Sequence, residues 1–211
     1  MPRNMQKDPE SRLAWTIKDD VMRRGKCFYG KVLRGRSTFI AARLLPFFNA
    51  LWGVPRRLEK KTLSADAQVI LKIMRREWEM ATRDLRKESG IAERPRFDKA
   101  MTELQKSLKI IPTEVLYEPT FTYIWSISEA RFPEQLKESV EREEALREIA
   151  RSYLVGAGMT LRGELARVTG LRSPEAGLGN WGLVDEGFAE RLAPGVYRLS
   201  SLSSLVAKTV S

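Results

Sequence analysis

Residues 23–39, RRGKCFYGKVLRGRSTF, interleave Arg23, Arg24, Lys26, Lys31, Arg34 and Arg36 with Phe28, Tyr29 and Phe39. Cations at this density meet phosphates, and aromatic faces between them stack on bases, so the stretch is equipped to bind nucleic acid. Phe28 and Phe39 taken singly read as core, because large apolar side chains are usually inside. A membrane surface would also attract the cations, but it calls for a basic amphipathic helix, and Gly30 and Gly35 interrupt helical periodicity here. Asp19 and Asp20 precede the stretch and are candidates for a general base. Helix capping or pairing with Arg23 and Arg24 is the expected use of both.

Composition closes off other chemistries. The chain has no histidine and one cysteine, Cys27, so a conventional zinc site, a Ser-His-Asp triad and a Cys-His pair each lack a part. No metal and no other cofactor is expected. A lone cysteine forms no internal disulfide, which fits a reducing compartment. No apolar run approaches the roughly 18–20 residues that cross a bilayer, and MPRNMQKDPESR has no apolar stretch behind its charges. The expectation is therefore a cytoplasmic, nucleoid-associated protein with no membrane partner. The acids of ESVEREEALRE (138–148) alternate with Arg142 and Arg147 at helical spacing and read as a solvated helix face.

The net charge of +10 is uneven along the chain. Residues 1–61 carry 15 Lys or Arg against 5 Asp or Glu, residues 62–133 carry 12 against 11, and residues 134–211 carry 10 against 11. The differences are +10, +1 and −1, so the whole excess sits in the first segment.

The elements that must position these cations follow from periodicity. A short helix is expected over 10–22, a strand in KCFYGKVL, and a helix starting at Ser37 or Thr38 with a bend or a boundary at Pro46. The connector GVPRRLEKKTLS (53–64) marks a first boundary. Beyond it Ser64 or Asp66 caps a helix with Ala67, Ile70, Leu71, Met74 and Trp78 on one stripe. A second helix over 81–88 stops at Gly90, and a third begins at Pro95 with Phe97, Met101, Leu104 and Leu108 inward. Residues 110–127 then change period and read as a hairpin around Glu118 and Pro119. Three helices followed by a hairpin make a winged helix. The same order returns after residue 134, ending in two short strands around Pro194 and Gly195. The expected fold is mainly α with small β-hairpins (α+β): a basic N-terminal segment (1–61) packing on two tandem winged helices (62–133 and 134–211).

In such a fold the third helix is available to the major groove. At ~100° per residue, Lys99, Thr102 and Lys106 fall opposite Phe97, with Arg96 on the flank, while Asp98 and Glu103 weaken the field. The hairpin offers Tyr117, Thr120 and Tyr123 for backbone contacts. The matching helix of the second unit, PEAGLGNWGL, has no basic residue and three glycines, so that unit reads as a packing module or the seat of a protein partner. Trp181 within it is expected in the core.

The stretch CFYGKVLRGRSTFI followed by LLPFFNALWG, then ATRDLRKESG and TEVLYEPTFTYIWSI, resembles the winged-helix superfamily that includes the bacterial crosslink-repair DNA glycosylases. The likeness covers residues 20–130 and extends to the remainder as architecture. It implies tandem winged helices, binding to duplex DNA and, in the enzymes, excision of alkylated bases without a metal. The signature of those enzymes is Gln-x-Gln or Gln-x-Asp. Gln6, Gln68, Gln105 and Gln135 are read as having neither Gln nor Asp two residues on, so the motif is read as missing and no residue receives a catalytic role. The expected function is accessory or non-catalytic DNA binding in repair. The alternatives are a glycosylase with an atypical site and a protein-interaction scaffold.

Overall fold

The computed structural model describes residues 9–202, so residues 1–8 and 203–211 of the outer expected domains lie outside the described residues. Helix α1 (Pro9–Arg24) leads into Gly25, whose φ of 62° suits a residue without Cβ. Strands β1 (Cys27–Gly30) and β2 (Thr38–Ala41) then pair antiparallel, with Phe28 opposite Ile40 and Tyr29 opposite Phe39. The strand period of two turns Phe28 and Ile40 inward and the other pair outward. Phe39, expected in the core, is 44% exposed and lies on Tyr29 at 4.7 Å between ring centroids. The helix expected from Ser37 or Thr38 begins later, as α2 (Leu45–Trp52), because 38–41 is taken into the hairpin. Pro46 falls in the first turn of α2, where its missing N–H costs nothing.

The connector contains a one-turn helix, α3 (Glu59–Thr62). Ser64 caps α4 (Ala65–Glu77) by accepting the Ala67 N–H, and Ala67, Ile70, Leu71 and Met74 are buried. Trp78, expected on that stripe, instead ends the helix at φ 66° and is 60% exposed. There follow β3 (Glu79–Ala81), α5 (Thr82–Ser89) with its left-handed stop at Gly90, α6 (Arg94–Lys106), β4 (Ile110–Leu116) and β5 (Thr122–Ile127). The sheet order is β3-β5-β4, and the short helices α7 (Ser128–Arg131) and α8 (Pro133–Lys137) close the segment. Leu85, Phe97, Met101, Leu104, Ile110 and Trp125 join the α4 stripe in one core.

The second run is α9 (Arg142–Ala157), β6 (Met159–Thr160), α10 (Glu164–Thr169), α11 (Ser173–Asp185), β7 (Ala189–Ala193) and β8 (Val196–Leu199), with sheet order β6-β8-β7. The element order and the strand order of the first run are thereby repeated. Trp181, expected in the core, is 43% exposed, edge-on to Tyr197 and beneath the Arg191 guanidinium at 4.8 Å. Its neighbours explain this: α11 meets α9 through Gly179, which brings the backbones too close for a large side chain between them.

The architecture is helical with small antiparallel sheets, in two compact units. One comprises the chain up to Leu45 with Gly53–Leu136, the other Pro46–Trp52 with the chain from Lys137. No described helix is long and apolar enough to cross a membrane.

Candidate nucleic-acid interface

Between β1 and β2 the chain makes a one-turn 3-10 helix, Leu33–Gly35, with Arg34 at φ 52° and Gly35 at φ 71°. Two successive left-handed residues fold the turn tightly against α6. The Lys31 N–H donates to Gln105 Oε1 at 3.1 Å, and the Gln105 amide nitrogen donates to the Met101 carbonyl at 3.0 Å. Lys106 lies across from Gly35, its Cε 3.4 Å from where a Cβ would stand. Exposed cations from two segments about seventy residues apart, Lys31, Arg34 and Arg36 on the turn and Lys106 on the helix, thus adjoin one another. Lys99, seven residues before Lys106, shares its helix face and is exposed. Thr102 is half-buried beside them.

Other expected contacts are arranged differently. Arg24 and Lys26 are exposed at the α1–β1 junction, while Arg23 stands 3.6 Å from both Asp20 and Glu114. Arg96 is committed to Asp66 through two hydrogen bonds of 2.8 and 3.0 Å at the start of α4. Glu103, expected to weaken the cationic face, is turned to the same end of α4, where it accepts the Ser64 N–H at 2.8 Å. Asp98 is the acid that remains near that face, 3.6 Å from Arg94.

The hairpin tyrosines look toward α1. Tyr117 donates its hydroxyl to Asp19, and this hydrogen bond, with burial and the carboxylate charge, pushes its pKa up to about 12. Asp19 is 4% exposed, and its second oxygen has the Lys18 ammonium at 3.0 Å. That ammonium donates to the Tyr123 hydroxyl at 3.3 Å and sits 4.0 Å from the Trp15 ring centroid. Burial raises the Tyr123 pKa against the opposing pull of Lys18. Asp20 pairs with Arg23 as expected, whereas Asp19 is occupied by its neighbour Lys18 and by Tyr117, which sequence spacing could not name.

Two adjoining hollows open beside α6. The larger, about 640 Å³, is bounded by α5, the Gly90 turn and the hairpin tip, and carries Arg83, Arg86, Lys87 and Arg94 with Asp98 the acid in its lining. The smaller, about 350 Å³, is lined by the rings of Tyr29, Phe97, Phe121, Tyr123 and Trp125 and by Thr82, Thr102 and Gln105, with Lys31, Arg94 and Asp98 as its charged residues. Thr82 fixes its floor, donating to the Tyr123 carbonyl at 3.0 Å and accepting from Trp125 Nε1 at 2.8 Å. Sequence reasoning missed Arg83, Arg86, Lys87 and Arg94. Within residues 62–133 it looked for cations on the third helix alone, although the Gly90 stop already set the end of α5 beside the start of α6.

The family model described as AlkZ related matches residues 2–161. The chain belongs to the AlkZ-related family. Among solved structures it is similar to the DNA glycosylase AlkZ of Streptomyces sahachiroi, with a TM-score of 0.61 at 11% identity, over 95% of this chain and 58% of that one. At that identity the likeness is one of fold, and this chain spans little more than half of that glycosylase. No curated protein matches the chain. The glutamine pattern needs one correction within the stretch that the AlkZ-related model covers. Gln6 and Asp8 do have Gln-x-Asp spacing, and both lie outside the described residues.

Proposed function

We propose that the chain is a DNA-binding protein built from two winged helices, which serves DNA repair in an accessory, non-catalytic role. The twice-repeated order of helix, strand, two helices and two strands, with the last strand central, supports the tandem winged-helix reading. Membership of the AlkZ-related family supports repair, and with it an association with the chromosome in the cytoplasm. The observation that carries DNA binding is the meeting of Lys31, Arg34 and Arg36 with Lys106 and the Lys99 face of α6. Phosphates of a duplex are the anions spaced to meet such a row. Arg24 and Lys26 extend it, and Thr102 is the hydroxyl on the same helix. Arg23 and Arg96 contribute less, because each shares its charge with carboxylates. The hydroxyls of Tyr117 and Tyr123 serve the hairpin by tying it to α1. The second winged helix, whose helix α11 has no cation, is assigned to packing or to a protein partner.

The test is titration of the full chain with duplex DNA at several salt concentrations. Binding that weakens steeply with salt supports the reading, and no binding at low salt overturns it. A glycosylase reading has its own observations: the aromatic hollow and the Gln6-x-Asp8 spacing. Against it, the glutamine inside the hollow, Gln105, is committed to the fold, its amide holding the Lys31 N–H at one end and the Met101 carbonyl at the other. Release of a base from alkylated duplex, abolished by Gln6→Ala, would replace the accessory role with catalysis.

A further inference from the structure

The hairpin tip, residues 117–122 (YEPTFT), has no cation and includes Glu118, which is poor equipment for a wing meant to grip phosphates. What it offers instead is a ring. Phe121 is 52% exposed, and its neighbours hold it edgewise, with Tyr117 at 5.8 Å and Tyr123 at 5.3 Å between centroids. Both contacts are T-shaped, and Tyr123 is itself 5.8 Å from Trp125, so the ring is fixed from below by a ladder of aromatics. Phe121 also lines both hollows: the one walled by Arg83, Arg86, Lys87 and Arg94, and the one walled by Tyr29, Tyr123 and Trp125.

A stacked duplex gives such a ring nothing to cover, since its bases present only their edges. A nucleotide out of the stack presents a flat face, an apolar body and two charged phosphates. Those are the three complements of an exposed ring, an aromatic hollow and a cationic hollow that share it. Building on the DNA-binding reading above, we infer that this surface selects unpaired nucleotides in DNA, with Phe121 as the stacking residue that confers the preference. The base lies on Phe121 at the mouth of the aromatic hollow, and its flanking phosphates run into the cationic one. Phe121 is here a determinant of specificity, and no bond is made or broken.

The experiment compares the full chain on a perfect duplex and on the same duplex with one bulged 2-aminopurine, by fluorescence anisotropy at one salt concentration. The bulged DNA is expected to bind about tenfold more tightly, the scale of one base stacked on one aromatic ring. Its 2-aminopurine emission should be quenched on binding. Phe121→Ala should bring the ratio of affinities close to one and leave the emission unquenched, while Phe121→Trp should keep both. Circular dichroism of the alanine variant checks that the fold persists; if it does not, the tryptophan and wild-type ratios still decide. Equal affinity of the wild-type chain for the two DNAs, or a preference that survives in Phe121→Ala, overturns the inference and leaves DNA binding intact. Absence of binding to either DNA at low salt overturns both.

Discussion

Asp19 shows how much a single residue can hide from sequence reading. Its position before Arg23 and Arg24 suggested helix capping or pairing with them, whereas its ion pair is with Lys18 at 3.0 Å. Its main hydrogen bond comes from Tyr117, ninety-eight positions away, which local spacing cannot reveal. The bond makes a testable claim. Tyr117 should ionise near pH 12 in place of its ordinary 10.0, and Asp19→Asn should return it toward that value. The phenolate absorbance of wild-type, Tyr117→Phe and Asp19→Asn proteins, compared during alkaline titration, isolates this group from the other tyrosines. Because the folded pKa is raised, the stabilisation is complete below pH 10.0 and is lost as pH rises through about 12. Glu59 is the acid-side counterpart. It is 6% exposed and accepts from Arg75 at 2.7 and 2.8 Å, while Lys109 stands at 2.7 Å. Burial raises its pKa, but the hydrogen bonds and charges of Arg75 and Lys109 outweigh burial and leave it lowered from 4.5. The stabilisation is therefore present above 4.5 and disappears as pH falls through the lower folded value. Glu59→Gln leaves Lys109 buried with Glu129 at 3.6 Å as its remaining carboxylate, and should cost about 3–5 kcal/mol at neutral pH. The variant should also flatten the acid limb of the urea midpoint. An unchanged midpoint at neutral pH would show that Lys109 finds solvent.

The longer elements were legible because their periodicity is strong. The α4 stripe, the Gly90 stop, Pro95 at the start of α6 and the 110–127 hairpin all follow from patterns several residues long. Strands β3 and β6 were not legible, because three and two residues carry no period, and they form by pairing with β5 and β8. The 38–41 strand was misread for a related reason. Four residues, three of them β-branched or aromatic, next to a long apolar run look like the first turn of the helix that follows. The glycines of α11 were noted for what they lack, cations and bulk, and the structure supplies what they do. At Gly179 a Cβ would stand 2.5 Å from the Leu146 carbonyl oxygen of α9, and at Gly177 it would meet open space. The two positions should respond to alanine in opposite directions. Gly177→Ala removes backbone freedom from the unfolded chain and should stabilise by about 0.5–1 kcal/mol. Gly179→Ala must push α11 off α9, and overpacking of this kind typically costs about 1–3 kcal/mol. Thermal melts of the two single variants provide the comparison, and a stabilising Gly179→Ala would mean that α9 and α11 are farther apart than this structure has them.

Charge is the property that organises the whole chain, and its arithmetic was readable before any coordinate. The excess lies in the first 61 residues, and the structure brings part of it to α6 through the Gly35–Lys106 contact. The cations of α5 were not foreseen, since residues 62–133 are nearly neutral in sum and a sum conceals a local cluster. If the turn and α6 form one phosphate-binding row, their variants should act alike on the salt dependence of duplex binding. Each phosphate contact contributes about 0.9 to the slope of log affinity against log salt, so Arg34→Ala with Arg36→Ala should lower the slope by up to about 2. Lys99→Ala with Lys106→Ala should do the same, and the four changes together should come near the sum, because released counterions add. A turn that acts without the helix would give a different pattern: loss of slope in the first pair, none in the second, and no further loss when they are combined. That outcome would confine the DNA contact to the N-terminal hairpin and leave α6 as its support.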